Sequence, residues 1–98
     1  MGGLVPGLAD QHSRGVRMNT DKLLELRADI AVSIIELARL TDIADTQRAL
    51  GSEAESPMVR ESYLRASAIS RAAADGQRKH VSTLRKRELE LIGSEELA

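Results

Sequence analysis

The sequence contains no cysteine and almost no aromatic residues, and Tyr63 is the only one. Without cysteine the chain has no disulfide framework and no thiolate ligand for a metal, which fits a reducing compartment. Sheet cores draw heavily on aromatic side chains, whereas this chain supplies mainly Leu, Ile, Val and Ala for its core. We therefore predict an all-α fold.

Long hydrophobic runs and an excess of one charge are also missing. No stretch approaches the roughly 20 apolar residues of a membrane-spanning helix, and Gly2, Gly3, Pro6 and Asp10 interrupt any apolar core of a secretion signal. The formal net charge of -1 argues against a protein whose whole surface attracts nucleic acid or an anionic membrane. We expect no membrane partner and a cytoplasmic location.

The chain begins with a segment that has no regular period. Residues 1–19 contain four of the seven glycines, which predicts a flexible N-terminal arm. The first helix should begin between Asn19 and Asp21, which are good N-cap residue types. It should end near Leu50, because Gly51 supplies a stop.

The second helix has a clear start signal in Ser56 and Pro57. A serine hydroxyl caps the free amide groups of a helix, and a proline is favoured at the first helical position because its missing N–H has no intrahelical partner there. The apolar pattern continues to Ile92, and Gly93 is the predicted stop.

Gly76 decides whether this segment is one helix or two. A glycine inside a helix costs about 1 kcal/mol relative to alanine, but the apolar period keeps its register from Ala73 to Val81. We favour one continuous helix, with a three-helix domain as the alternative. Because the linker is short, the long helices should be antiparallel neighbours. The predicted domain is a helical hairpin of residues 20–93, followed by a C-terminal tail of residues 94–98.

Alternating spacings of four and three place small and aliphatic residues on one narrow stripe of the second helix, a pattern typical of coiled coils. The first helix is apolar over more than half of its circumference, which is too wide for one partner helix. A lone hairpin in a chain of 98 residues also buries little surface. We therefore predict a coiled-coil-like homo-oligomer whose interface residues are Ile30, Ile34, Leu37, Val59, Tyr63, Ala66, Ser70, Ala73, Gln77, Val81 and Leu84.

Motifs for catalysis and for cofactors are not found. Neither histidine belongs to a Glu-x-x-His pair of the kind that holds a di-iron site in helical bundles. The helical serines have no nucleophile elbow, and the glycines at the N-terminus lack the lysine and the strand of a phosphate-binding loop. The sequence predicts no enzyme activity, no metal and no cofactor.

A basic run near the end of the second helix is the candidate for anion or nucleic-acid binding. Arg78, Lys79, Arg85 and Lys86 project to one side of a helix and have the charge to follow a phosphate backbone. The simpler interpretation is a solvated face, since the C-terminal half of a helix favours cations. No aromatic residue is interleaved to stack on bases. Nucleic acid is therefore the less favoured partner.

The leading interpretation is a non-enzymatic helical module that forms a homo-oligomer and serves as a structural or adaptor subunit, with other protein subunits as further partners. The alanine and arginine content is typical of a GC-rich genome such as that of an actinobacterium or its phage. One alternative is a small nucleic-acid-associated or regulatory protein that uses the basic run. The other is an oligomer that binds a small anionic nucleotide between Tyr63 and the arginines.

Overall fold

A computed structural model describes the main chain of residues 6–97 and the side chains of residues 20–94. The two helices are α1, Pro6–Glu53, and α2, Pro57–Leu97. They pack against each other along a hairpin with extents of 82 × 25 × 12 Å. Residues 54–56 connect them, and the described part contains no strand. The all-α class and the hairpin of two helices are confirmed.

The turn forms as the start signal of α2 predicts. The main-chain amide of Val59 donates to the Ser56 hydroxyl at 3.4 Å, and the amide of Arg60 donates to the Ser56 carbonyl at 2.9 Å. Pro57 is the first residue of α2. The guanidinium of Arg60 also donates to the carbonyl of Ala54 at 2.9 Å, which ties the connection to the first turn of α2. The bond to the Ser56 hydroxyl satisfies the Val59 amide, one of the groups that a helix start otherwise leaves without a partner.

Three predicted helix ends differ from the structure. Helix α1 already includes Pro6, the first described residue, rather than beginning between Asn19 and Asp21. Gly51 and Gly93 both lie inside helices. A glycine stops a helix through a left-handed conformation, and no glycine in the described residues has a positive φ.

The predicted terminal segments are covered only in part. Residues 1–5 of the expected arm and Ala98 of the expected tail lie outside the described residues. Residues 6–19 belong to α1 and residues 94–97 belong to α2.

The faces that the helices turn toward each other repeat every seven residues. On α1 one row of buried or half-buried positions steps alternately by three and four residues: Leu23, Leu26, Ile30, Ser33, Leu37, Leu40, Ala44, Gln47 and Gly51. On α2 one such row steps by four and three: Tyr63, Ser67, Ser70, Ala74, Gln77, Val81, Leu84, Glu88 and Leu91. Because both rows repeat every seven residues, the two antiparallel helices keep these rows in contact over many turns.

The predicted stripe of α2 and the row that packs against α1 differ at three positions, Val59, Ala66 and Ala73. Ala66 is half-buried, and the packed row passes through the buried Ser67 instead. Ala73 is exposed, and its neighbour Ala74, which is only 3% exposed, packs between the helices instead. Val59 is 44% exposed, because α1 ends close to the first turn of α2 and leaves little surface there to pack against.

The two central glycines have different surroundings. Helix α2 is continuous through Gly76, as predicted, and a Cβ at Gly76 would meet no atom within 4 Å. At Gly51 a Cβ would lie 3.1 Å from the Cβ of Tyr63 and 3.4 Å from the carbonyl oxygen of Arg60. Gly51 therefore allows the close approach of the helices beside the turn.

Neither α1 nor α2, over the part of the chain that is described, has a stretch both apolar and long enough to cross a bilayer.

Candidate functional site

The face of α1 directed away from α2 carries a second row of apolar residues, which we call the outer stripe. It consists of Leu24, Ala28, Ala31, Ile35 and Ala38, all exposed, with steps of four, three, four and three residues. The spacing is that of the buried row of the same helix, and at 100° per residue the two rows lie almost opposite each other. Ile35 is 68% exposed, and Val32 beside the stripe is 66% exposed.

The core of the hairpin is thin in comparison. The buried hydrophobic residues are Ile30, Ala44, Ala74, Val81 and Leu84, and two of these five are alanines. No large side chain among the described residues falls below 2% exposure. Since burial of a large aliphatic side chain stabilises a fold by about 1.5–3 kcal/mol, such a core gives limited stability to one hairpin.

Polar side chains complete the contact between the helices. The Ser67 hydroxyl donates to the carbonyl of Ala44 at 2.8 Å, and the Ser70 hydroxyl donates to Oε1 of Gln47 at 2.8 Å.

Farther from the turn, Nε2 of Gln77 donates to the Ser33 carbonyl at 3.1 Å, and Nε of Arg27 pairs with Glu88 at 3.0 Å. Within the described part of the chain every buried side-chain polar atom has a partner. These bonds specify the alignment of the helices and add little apolar burial.

One flank of the hairpin forms a shallow cationic groove. Arg71, Arg78 and Arg85 follow one another at intervals of seven residues on α2, about 10.5 Å apart at 1.5 Å per residue. The groove is lined by these arginines together with the apolar side chains Ile34, Leu37, Val81 and Leu89 and the side chain of Lys86. Arg48 of α1 lies beside Arg71 at the end nearer the turn.

Ion pairs neutralise only part of this groove. Arg78 donates to Asp75 at 2.7 Å, and Asp45 of α1 lines the groove together with Arg71 and Arg78. Within the described residues, neither Arg71 nor Arg85 forms an ion pair. The groove therefore has the cations for an anionic chain, with two carboxylates near its middle.

Three of the four predicted basic residues share this side of the hairpin. Arg78, Arg85 and Lys86 line the groove, and Lys79 is exposed next to Arg78. Arg87, from the same run of sequence, lies on the opposite flank with Asp29 and Glu25. Arg71 and Arg48 are not among the predicted basic residues. The seven-residue spacing of Arg71 from Arg78 is a signal in the sequence, whereas Arg48 reaches the groove only through the pairing of the helices.

The predicted interface residues divide into three groups by exposure. Ile30, Val81 and Leu84 are buried in the hairpin, while Leu37, Tyr63, Ala66, Ser70 and Gln77 are half-buried. Ile34, Val59 and Ala73 are exposed. The single hairpin thus uses most of this set itself.

The clearest electrostatic perturbation lies beside the outer stripe. Oε1 and Oε2 of Glu36 accept hydrogen bonds of 2.6 and 3.1 Å from Nη2 and Nε of Arg39. These bonds, with the attraction of the positive charge, lower the pKa of the Glu36 carboxyl and raise that of Arg39. The Nη1 group of Arg39 is not used by this pair.

Neither a metal-binding cluster nor a similar known protein assigns a function to the described residues. No group of three or more His, Asp or Glu side chains in the described residues is arranged to hold a metal ion. Comparison with models of protein families, with curated proteins and with solved structures finds no match to this chain.

Proposed function

We propose that this protein is a non-enzymatic helical module that associates with itself in a coiled-coil-like manner and serves as a structural or adaptor subunit. The observation that carries the proposal is the outer stripe of α1, because it repeats the spacing of the buried row on a surface that the hairpin leaves open. Exposed apolar patches of this kind mark interaction sites in soluble proteins.

The thin core supports the same conclusion. Two long helices with five buried hydrophobic residues lack the apolar burial that independent small domains use. Association through the outer stripe would place Val32 and Ile35 in an apolar environment. This gain is absent from a single chain.

Size-exclusion chromatography with light scattering tests the proposal. We expect at least twice the 10.7 kDa of one chain, at low and high salt, because apolar association is not screened by ions. Ile35→Glu should reduce the mass to that of one chain, whereas Thr83→Glu, a change at an exposed position of α2, should leave it unchanged. A monomer at every concentration would contradict the proposal.

A second candidate function is binding of a nucleic-acid backbone along the cationic groove. The row of Arg71, Arg78 and Arg85, continued by Arg48, favours it, because regularly spaced cations displace counterions from a phosphate chain.

Fluorescence anisotropy with a labelled DNA duplex measures this binding. Affinity should fall steeply with salt and be lost in Arg78→Glu/Arg85→Glu. Arg87→Glu is the matched control, because Arg87 lies on the opposite flank. An anisotropy that does not change with protein concentration, or an equal loss in the control, removes this candidate.

A further inference from the structure

We propose that two copies of the chain pair through their outer stripes, with the two α1 helices antiparallel and a two-fold axis at the level of Ser33. This inference rests on the proposed function of self-association and adds the surface, the direction and the register. A two-fold interface requires a surface that is complementary to itself. The outer stripe has this property in one alignment of the helices.

Packing of the stripe limits the alignments. The stripe consists of two alternating sets: Leu24, Ala31 and Ala38 form one, and Ala28 and Ile35 form the other. When two such rows interlock in antiparallel helices, a residue of one set faces a residue of the other set. With the axis at Ser33, Ala31 faces Ile35 of the second copy, and Ala28 faces Ala38 of the second copy. A small side chain then lies opposite a large one at the centre, which lets the helix axes approach to about 8 Å.

The residues beside the stripe agree with the same alignment. Val32 faces its own counterpart across the axis, and so does Ile34 on the other side of the stripe. Both are exposed in one hairpin, at 66% and 38%. The four aliphatic side chains would close the centre of the interface from both edges.

Charge complementarity selects this alignment further. Glu25 lies beside the stripe on the same edge as Val32, two turns before it, and Arg39 lies two turns after it. In the antiparallel pair Glu25 of each copy faces Arg39 of the other. The Nη1 group of Arg39, which the bonds to Glu36 leave unused, is available to the incoming carboxylate.

Other alignments place charges against apolar side chains. In the neighbouring antiparallel register, Glu25 faces Val32 and Arg27 faces Ile34. In a parallel pair, Arg27 faces Val32 and Arg39 faces Ile34. Charged groups that lose water without gaining a partner are costly. At the ends of the proposed contact Leu24 faces Asp42 of the second copy, at a rim open to water.

Single-cysteine variants test the surface and the register, because the chain has no cysteine of its own. Val32→Cys should form a disulfide-linked dimer under mild oxidation, since the two residues meet across the axis. Ile69→Cys is the matched control, because Ile69 lies on α2 and is 67% exposed against 66% for Val32. Yields are read on non-reducing gels.

A mixture of Glu25→Cys and Arg39→Cys, treated with a short bis-maleimide, tests the direction. The mixture should give a cross-linked dimer in at least fivefold higher yield than either variant alone. Parallel helices instead would cross-link each variant with itself.

The outcomes separate this inference from the proposed function. A dimer by light scattering with equal disulfide yields at Val32→Cys and Ile69→Cys, or with self-linked Glu25→Cys, overturns the proposed pairing and leaves self-association standing. A monomer by light scattering for the reduced Val32→Cys variant and for the unmodified chain overturns both. Selective cross-linking at Val32 and between positions 25 and 39 supports both.

Discussion

The hydroxyl of Ser67 donates a 2.8 Å hydrogen bond to the main-chain carbonyl of Ala44 on the facing helix. Ser67 is 5% exposed and Ala44 is 2% exposed, so the bond lies in the driest part of the interface. It holds α2 in one alignment against α1, because a slip of either helix would leave the buried hydroxyl without a partner.

Removal of this hydroxyl should lower the free energy of unfolding. We expect Ser67→Ala to cost about 1 kcal/mol, measured by urea denaturation. Ser62→Ala is the control, because the exposed Ser62 hydroxyl bonds only to the carbonyl of Met58 in its own helix and its loss should change stability by less than about 0.5 kcal/mol. Equal losses in the two variants would show that the bond to Ala44 has no special role.

Adjacent alanines of α2 should respond differently to a charge. Ala74→Glu forces a carboxylate between the helices and should cost ~3 kcal/mol or more, whereas Ala73→Glu introduces the same charge on an exposed position. Thermal unfolding followed by circular dichroism compares the two. If Ala73→Glu were the more damaging change, the assignment of Ala74 to the helix interface would be wrong.

The two central glycines should give stability changes of opposite sign on replacement by alanine. Gly76→Ala should stabilise the protein by about 0.5–1 kcal/mol, since it improves helix propensity and its Cβ meets nothing within 4 Å. Gly51→Ala should destabilise it by about 1 kcal/mol or more, since the Cβ of Tyr63 at 3.1 Å belongs to a helix that must move as a whole. Chemical denaturation of both variants is the measurement. Stabilisation by Gly51→Ala would show that the helices separate readily beside the turn.

The pair of Glu36 and Arg39 should be visible in a titration. Because the pKa of Glu36 is lowered in the folded chain, its contribution to stability is present above the unfolded-state pKa. It is lost as the pH falls through the folded-state pKa. Carboxyl NMR of the Arg39→Gln variant should show the pKa of Glu36 moving up toward its ordinary value. An unchanged titration would mean that the pair does not persist in solution.

Local signals in the sequence predicted the start of α2 but not the ends of the helices. Ser56 and Pro57 act within one turn, so their effect is readable from the residues alone. The sequence predicts a helix stop at Gly51, yet the position of Gly51 against Tyr63 and Arg60 depends on the partner helix. A glycine that permits close approach and a glycine that ends a helix look the same in a sequence.

The stripe of α2 shows a similar limit. From Ser70 to Gln77 the steps are either three then four, through Ala73, or four then three, through Ala74. Because both positions are alanine, the apolar pattern does not distinguish them, and only the pairing with α1 does. The cationic groove shows the same limit. Arg78 and Arg85 share one helix face and are predicted from the sequence, but Arg48 lies on α1 and joins the groove only through the pairing of the helices.

The most direct test of the central claim, that one hairpin is incomplete without a partner, is the melting temperature at two protein concentrations about a hundredfold apart. Folding that is coupled to association makes this temperature rise with concentration. We predict a clear rise for the unmodified chain and none for Ile35→Glu. The same melting temperature at both concentrations for the unmodified chain would show that the hairpin is stable alone and would contradict the account.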